Sequence, residues 1–353
     1  MIVLGADMHK SSHTVAAVAA LTGELRGDRT VDVGQRGFAA ALEWARSLGA
    51  ERVWALEDCR HVSGSFERFL IVNGERVVRV ATRLMADQRR ASRARGKSDR
   101  IDALAVARAA LREGVDRLPV AQLAGIELEI RLLVDHRERL VRVRTALYND
   151  LLWHLHDLWP EQKFPKSALL SKKWSGQIAR RLARAEQTAR TRIARDELRH
   201  LRELSSTIDA LETEIAELVT QVAPQLLYEP GFGPLTAGKL IGEIAGARRF
   251  STDAKLARAG GLAPIPVSSG KTNRHRLDRG GNRQINTAIH RIAVTRARCH
   301  PESRDYIARK RAEGKSSTEA IRCLKRHLTR RIWHLLRAPA PAEQATTTIT
   351  ALT

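Results

Sequence analysis

Asp99 and Asp102 stand three residues apart in GKSDRIDALAVARAAL, directly after the cationic run RVATRLMADQRRASRARGK. On a helix that spacing puts both carboxylates on one face. Two chemistries fit. The pair are acids favoured at a helix start after Ser98, or they are half of a metal site that acts on a polyanion. Asp7 closes the apolar run IVLGAD and Glu57 closes RVWALE. If those runs are neighbouring strands, the two carboxylates converge at one sheet edge. Four acids so gathered repel one another and call for a divalent cation. Mg²⁺ (or Mn²⁺) suits oxygen ligands and phosphate chemistry. Asp58 competes with Glu57 for the inward position, and strand alternation alone does not choose. Asp28 and Asp32 read as exposed hairpin residues.

A second reactive stretch, PVSSGKTNRHR, reads as a polar loop that sets a small nucleophile beside a glycine and several cations. A serine hydroxyl at neutral pH needs a base or a metal to activate it. Lys271, Arg274, His275 and Arg276 are placed to draw in DNA and offset charge at phosphorus. A plain Ser/Gly loop explains the same residues. Gly231 and Gly233 in YEPGFGPLTAGKLIGEI lie between helical patterns, as in a helix-hairpin-helix turn whose backbone N–H groups approach a phosphate. An ordinary inter-helix turn is the alternative.

The elements that must position these residues follow from hydrophobic periodicity. Residues 2–7, 14–21 and 25–33 read as three short strands, 52–57 and 76–81 as two more. Helices are expected near 36–48 and 63–72 and again up to about 113, making a mixed sheet covered by helices. From about 120 the chain is helical for some hundred residues. Leu201, Leu204, Ile208, Leu211, Ile215, Leu218 and Val222 form a heptad seam. Ile126, Ile130, Leu133, Leu140, Leu147 and Leu151 form another, with Arg137 and Arg144 falling on it. They are expected to make a coiled-coil arm, as an antiparallel hairpin joined through residues near 159–175 or by pairing with another subunit; two helices of a bundle fit the pattern too.

The chain has 353 residues and a net charge of +22, with a hydrophobic content of 43 %. It folds, and its partner is a polyanion bound in a salt-sensitive way. Nineteen lysines and arginines against five acids lie within 268–340. Cys59, Cys299 and Cys323 form no CxxC pair, which argues against a zinc site and a disulfide framework and fits a reducing, cytoplasmic setting. No apolar run approaches membrane-spanning length. The end of the chain, APAPAEQATTTITALT, is low in complexity and expected to be disordered.

GADMHKSSHTVAAV, ALEDC, GKSDRIDA and GLAPIPVSSGKTNRHRLDRGGNRQIN, in that order, resemble the DEDD-type insertion-sequence transposases, the family of the pilin-gene invertases and bridge-RNA-guided recombinases. The resemblance runs from residue 2 to about 337. It implies an α/β plus all-α chain: an N-terminal ribonuclease-H-like (RuvC-like) DEDD domain over 1–115, a helical coiled-coil arm over 116–225 and a mainly helical C-terminal transposase domain over 226–340, before a tail at 341–353. It places the four metal-binding acids on Asp7, Glu57, Asp99 and Asp102. The family's serine falls on Ser269, with Ser268 one residue away as the competing choice. Its GN step falls on Gly281 and Asn282, and Asn286 stands where a basic residue is common.

The activity so implied is in-line attack by Ser269 on a DNA phosphodiester, assisted by Mg²⁺ or Mn²⁺, with a phosphoserine intermediate. The implied partners are DNA, a structured non-coding RNA and further copies of the chain, a dimer or tetramer with composite active sites. Expected nucleic-acid contacts are Arg89, Arg90, Arg93, Arg95, Lys97, Gly231, Gly233, Lys271, Arg274, Arg276 and Asn282. Three other readings are a metal-dependent junction nuclease that uses water, a site-specific invertase, and a nucleic-acid binder without catalysis.

Overall fold

The structure, a computed structural model, describes residues 1–57, 64–80, 84–85, 98–118, 120, 125–269, 272–276, 278 and 281–338, without the side chains of 268, 269 and 272–274. The cationic residues Arg89, Arg90, Arg93, Arg95, Lys97 and Lys271, the side chain of Arg274, the competing Asp58 and the tail over 341–353 lie outside the described residues. The chain divides into two compact units: Met1–Glu127 with Glu243–Pro339, and a second built on Leu128–Gly242.

The first unit opens with a mixed five-stranded sheet in the order β3-β2-β1-β4-β5: β1 (Ile2–Met8), β2 (Ser12–Ala19), β3 (Leu25–Asp32), β4 (Arg52–Glu57) and β5 (Val77–Val80). β1, β2 and β3 pair antiparallel, whereas β4 runs parallel to both β1 and β5. This is the mixed sheet expected from the sequence. β2 starts and ends two residues earlier than its apolar run, because Gly23 takes φ +71° in the turn that follows and Leu21 is left 99 % exposed.

Alternation along the strands builds two cores. Leu4, Ala6, Met8, Trp54 and Leu56 face α1 (Gln35–Leu48) and α2 (Gly64–Val72) in an aromatic-rich layer with Phe38 and Phe66. Val3, Val53, Ala55 and Val78 face α3 (Asp99–Glu113), which supplies Val106, Ala107, Ala109 and Ala110. Small residues let α3 lie close to the sheet. At Gly5 a Cβ would fall 2.2 Å from the Ala103 carbonyl oxygen and 2.3 Å from the Ala107 nitrogen. Only glycine permits that approach.

In the C-terminal part of this unit, α9 (Asp253–Ala259), α10 (Arg283–Cys299), α11 (Pro301–Ala312) and α12 (Ser317–Arg337) pack around Ile285, Ile289, Ile292, Leu324, Leu328 and Ile332. Arg258 reaches Glu113 at 3.5 Å and Arg249 donates to the Val120 carbonyl at 3.2 Å. The stretch expected as a polar loop forms a hairpin instead: β6 (Ile265–Ser269) pairs antiparallel with β7 (Thr272–Arg276). β-branched residues alternate in IPVSS, and two residues separate it from TNRHR, a length that favours a hairpin.

The second unit holds most of α4 (Gly125–Leu158), α5 (Lys172–Arg184), α6 (Ala189–Val222), α7 (Pro224–Leu227) and most of α8 (Pro234–Ile244). Ion pairs Arg137–Glu212, His154–Glu197 and Asp157–Arg190 link α4 to α6. Partner numbers fall along α6 as they rise along α4, so the two helices run antiparallel within one chain. Arg137 sits in the seam because Glu212 accepts from its Nε at 2.8 Å. The connection carries α5, which the short run Ile178, Leu182 did not announce. Gly238 and Gly242 bring α8 against α4 and α6, and Lys239 bonds Asp135 at 3.2 Å and Glu138 at 2.8 Å.

Gly5→Val forces α3 off the sheet. We expect a loss of about 1–3 kcal/mol, the usual cost of overpacking, read as a lower urea midpoint at unchanged slope.

Candidate metal centre and serine hairpin

Asp7 and Glu57 stand at the carboxyl ends of β1 and β4, adjacent parallel strands. Asp7 follows Val3 and Gly5 on the face turned to α3, and Glu57 follows Val53 and Ala55 on that same face. The division of the sheet into two cores therefore supplies the orientation of Glu57 that strand alternation left open. α3 begins beside them. Ser98 caps it by accepting from the Ile101 N–H, so Asp99 occupies the first helical position and Asp102 the fourth. The acids suit the helix dipole, and the close approach at Gly5 brings the start of α3 beside Asp7.

Asp7 and Asp102 are 5 % and 4 % exposed, while Asp99 is open to solvent. Burial pushes the Asp7 carboxyl above its ordinary range; His9 pulls it back and the charges of Asp102 and Asp99 raise it again. His9 is the residue the sequence reading missed. Its Nε2 lies 3.1 Å from Asp7 Oδ2 and 3.3 Å from Asp99 Oδ1, bridging two carboxylates where a cation would sit. Among the described residues, ligand atoms of Asp7, His9 and Asp99 all lie within 4.8 Å of one another. Asp102 is one helical turn on from Asp99, and Glu57 is half-buried at its strand end; neither belongs to that closest group. The available signal was the i, i+2 spacing of Asp7 and His9, the period of a strand face, with His9 one residue past the end of β1. Two hard carboxylate donors and an imidazole suit Mg²⁺ or Mn²⁺, with the nitrogen favouring Mn²⁺. The second histidine of MHKSSH does something else: His13 is buried, stacks on Phe38 at 5.6 Å, and burial lowers its pKa.

Ser269 ends β6 opposite Thr272, and the backbone of Ser268 pairs with that of Asn273. The base of this hairpin is tightly built. A Cβ at Gly281 would lie 1.9 Å from the Gly261 nitrogen, and Gly261 itself takes φ +64°. The Asn282 N–H donates to the Ala259 carbonyl at 2.6 Å. The Asn282 side chain caps α10 by accepting from Gln284 and Ile285, and donates to Glu243 at 2.8 Å. These bonds give Asn282 a structural task at the start of α10. Asn286 donates to the carbonyls of Gly260 and Gly261 at 3.1 and 3.0 Å and accepts from the buried Lys325. A cation thus stands behind Asn286, supplied by α12. Burial lowers the Lys325 pKa to about 8. Arg276 and His275 are exposed on β7. In the other unit Gly231 takes φ +83° between α7 and α8, and a Cβ at Gly233 would meet nothing within 4 Å.

Carboxylates at the carboxyl ends of two parallel strands and the start of a helix, in a chain of net charge +22, suit metal-assisted chemistry on a nucleic-acid backbone. Residues 4–160 match the DEDD transposase family typified by IS110, and residues 223–308 match the family described as Transposase IS116/IS110/IS902. The chain belongs to the DEDD transposases of IS110-type insertion elements. It is 27 % identical to the uncharacterized 44.8 kDa protein of insertion element IS116 from Streptomyces clavuligerus, over 96 % of this chain and 97 % of that one. It is 26 % identical to the uncharacterized 42 kDa protein of IS900 from Mycobacterium paratuberculosis, over 86 % and 87 %. Over 36 % of the chain it is 37 % identical to the 43.6 kDa protein of IS110 from Streptomyces coelicolor, covering 32 % of that protein. Membership makes it an insertion-sequence transposase that binds DNA and depends on a divalent metal. No helix among the described residues is long and apolar enough to cross a membrane.

Because the Asp7 carboxyl is raised, the folded state holds its proton more tightly than the unfolded chain does. Stability of the metal-free protein therefore falls as pH rises from 3.8 through that raised value, and the cost stays at neutral pH. Asp7→Asn should melt higher than the parent without divalent ions, and should lose the rise in melting temperature that Mn²⁺ gives the parent. His9→Gln should weaken Mn²⁺ binding by calorimetry on the order of tenfold. The Lys325 shift has the opposite sign. Between about pH 8 and its ordinary 10.5 the unfolded chain holds the proton and the folded one does not, so stability rises with pH. Measured against Lys325→Met, that gain should be about 2–3 kcal/mol across the window.

Proposed function

We propose that the chain cuts and rejoins DNA at its insertion-sequence ends with Ser269 as nucleophile and Asp7, Glu57, Asp99 and Asp102 as the metal-holding acids. The observation that carries this reading is the convergence of Asp7 and Asp99 on one point at the edge of the sheet, bridged by His9. Mg²⁺ or Mn²⁺ bound there supplies Lewis-acid stabilisation of charge on the phosphoryl oxygens. Asp7 and Asp99 hold the ion, His9 adds a nitrogen donor, and Asp102 and Glu57 contribute carboxylate charge from α3 and β4.

Ser269 Oγ attacks phosphorus in line: the Oγ–P bond forms, one P–O ester bond breaks, and the serine proton passes to the leaving hydroxyl. Attack by the hydroxyl of another strand reverses the step, so the DNA is resealed without an outside energy source. The hairpin base at Gly260, Gly261 and Gly281 fixes the backbone that carries Ser269. Arg276 and His275, exposed on β7, offset phosphate charge. Lys271, Arg274 and the run Arg89, Arg90, Arg93, Arg95 and Lys97 extend the cationic surface, and the open Gly233 turn gives a phosphate access to backbone N–H groups.

A structured non-coding RNA, paired with target and donor DNA, provides the sequence choice. No RRM signature or zinc-finger spacing in the chain offers to read bases. Two or four copies assemble through the antiparallel helices α4 and α6, so that Ser269 of one copy serves the acids of another.

Ser269→Ala should abolish strand exchange and the covalent DNA adduct, while Asp102→Asn should abolish both with DNA binding retained. Normal cleavage by Ser269→Ala would instead favour the junction nuclease that uses water. Mixing the two inactive variants should restore exchange; no recovery would place serine and acids in one copy.

A further inference from the structure

The α5 helix has two faces of opposite chemistry. Ser175, Ile178 and Leu182 are buried, and the two apolar ones join Leu151, Leu155, Ala194, Leu198 and Leu201 in a core. Opposite them, Lys173, Gln177, Arg180 and Arg184 follow at i, i+4, i+7 and i+11, all exposed. That is a single stripe on the outer side of the helix. Arg181, off the stripe, has its own occupation: it stacks on Trp159 at 4.0 Å and donates to Gln162 at 2.9 Å. Arg190 pairs with Asp157, and Arg199 with Asp196. Lys173, Arg180 and Arg184 have no carboxylate partner among the described residues, although acids occur nearby in the sequence.

We infer that this outer stripe of α5 is a docking face for the phosphate backbone of duplex DNA. It rests on the transposase reading and adds a contact in the unit that does not hold the acids. The stripe spans about 16 Å at 1.5 Å per residue, a length over which duplex DNA carries about ten phosphates. Three exposed cations with one amide among them match a repeating charge and carry little means of reading bases. The apolar face is already buried in the unit's own core, which leaves charge as the means of docking. α5 therefore binds DNA without regard to sequence, and its contribution is strongly salt-dependent.

The test uses the full-length chain and a fluorescein-labelled DNA duplex several helical turns long, without element sequence, in anisotropy titrations over a range of salt. Lys173→Gln, Arg180→Gln and Arg184→Gln together should lower the slope of log K against log salt by about 0.9 per lost contact, hence by about 2 to 3. The triple variant should melt at the parent temperature, because its side chains are exposed and unpaired with acids. The charge-keeping triple Lys173→Arg, Arg180→Lys and Arg184→Lys should retain the parent slope. An equal charge loss on exposed helix positions of the same unit, Arg139→Gln, Arg142→Gln and Arg202→Gln, should leave it nearly unchanged. An unaltered slope in the first triple overturns the inference, as does an equal fall in the control triple. A fall seen only with single-stranded RNA also overturns it, by reassigning the face. Failure of the parent to bind any duplex would strike the transposase reading itself and is distinct from these outcomes.

Discussion

The contact between Gly5 on β1 and the Ala103–Ala107 turn of α3 sets the distance between a sheet and a helix, and the acidic centre depends on that distance. With a Cβ 2.2 Å from a carbonyl oxygen, no other residue type lets the backbones meet. The small residues of α3, Ala103, Ala107 and Ala110, extend the approach along the helix. Its consequence lies two residues further on, where Asp7 meets the start of α3 and its acids. Bringing like charges together under burial opposes folding, and the raised Asp7 pKa records that opposition. Packing elsewhere in the sheet holds the cluster in place, and His9 tempers it between Asp7 and Asp99. A centre strained in this way is poised to take a divalent cation.

The serine segment is built on another principle. In sequence it looks like a polar loop, yet the structure forms a hairpin and uses nearby glycines and asparagines to close its base. Gly281 is pressed to Gly261, Asn282 caps α10 and bonds Glu243, and Asn286 holds two glycine carbonyls while accepting from Lys325. Lys325 comes in from α12 to meet Asn286. A buried ammonium with an amide oxygen for a partner is costly, and its lowered pKa follows from that burial.

Much of the fold was legible because each element carries its own period. The strands alternate or run apolar between turns, and the long helices repeat at three and four. Misreadings arose where local pattern was too short or was overruled. PVSSGKTNRHR has the polarity of a loop, but its alternation and two-residue connection suit a hairpin. β2 was displaced by two residues because Gly23 turns the chain before Leu21 can pair. Arg137 interrupts an apolar seam, and its reason, Glu212, is 75 residues away. The α5 helix is too short for its period to stand out, and its apolar side is recognised only through the helices that cover it.

Residue identity and order by themselves determined the polyanionic partner, the acids Asp7, Glu57, Asp99 and Asp102 as candidates, and the family, since charge and ordered motifs are properties of a linear chain. Tertiary structure decided the rest. It chose the face of Glu57 by splitting the sheet into two cores, and joined Asp99 to Asp7 through the vacancy of a side chain at Gly5. It brought His9 between them and took Asn282 out of the pool of free polar groups. Each of these outcomes turns on which backbones approach within a few ångströms. That is a property of packed surfaces, which no spacing along the chain encodes alone.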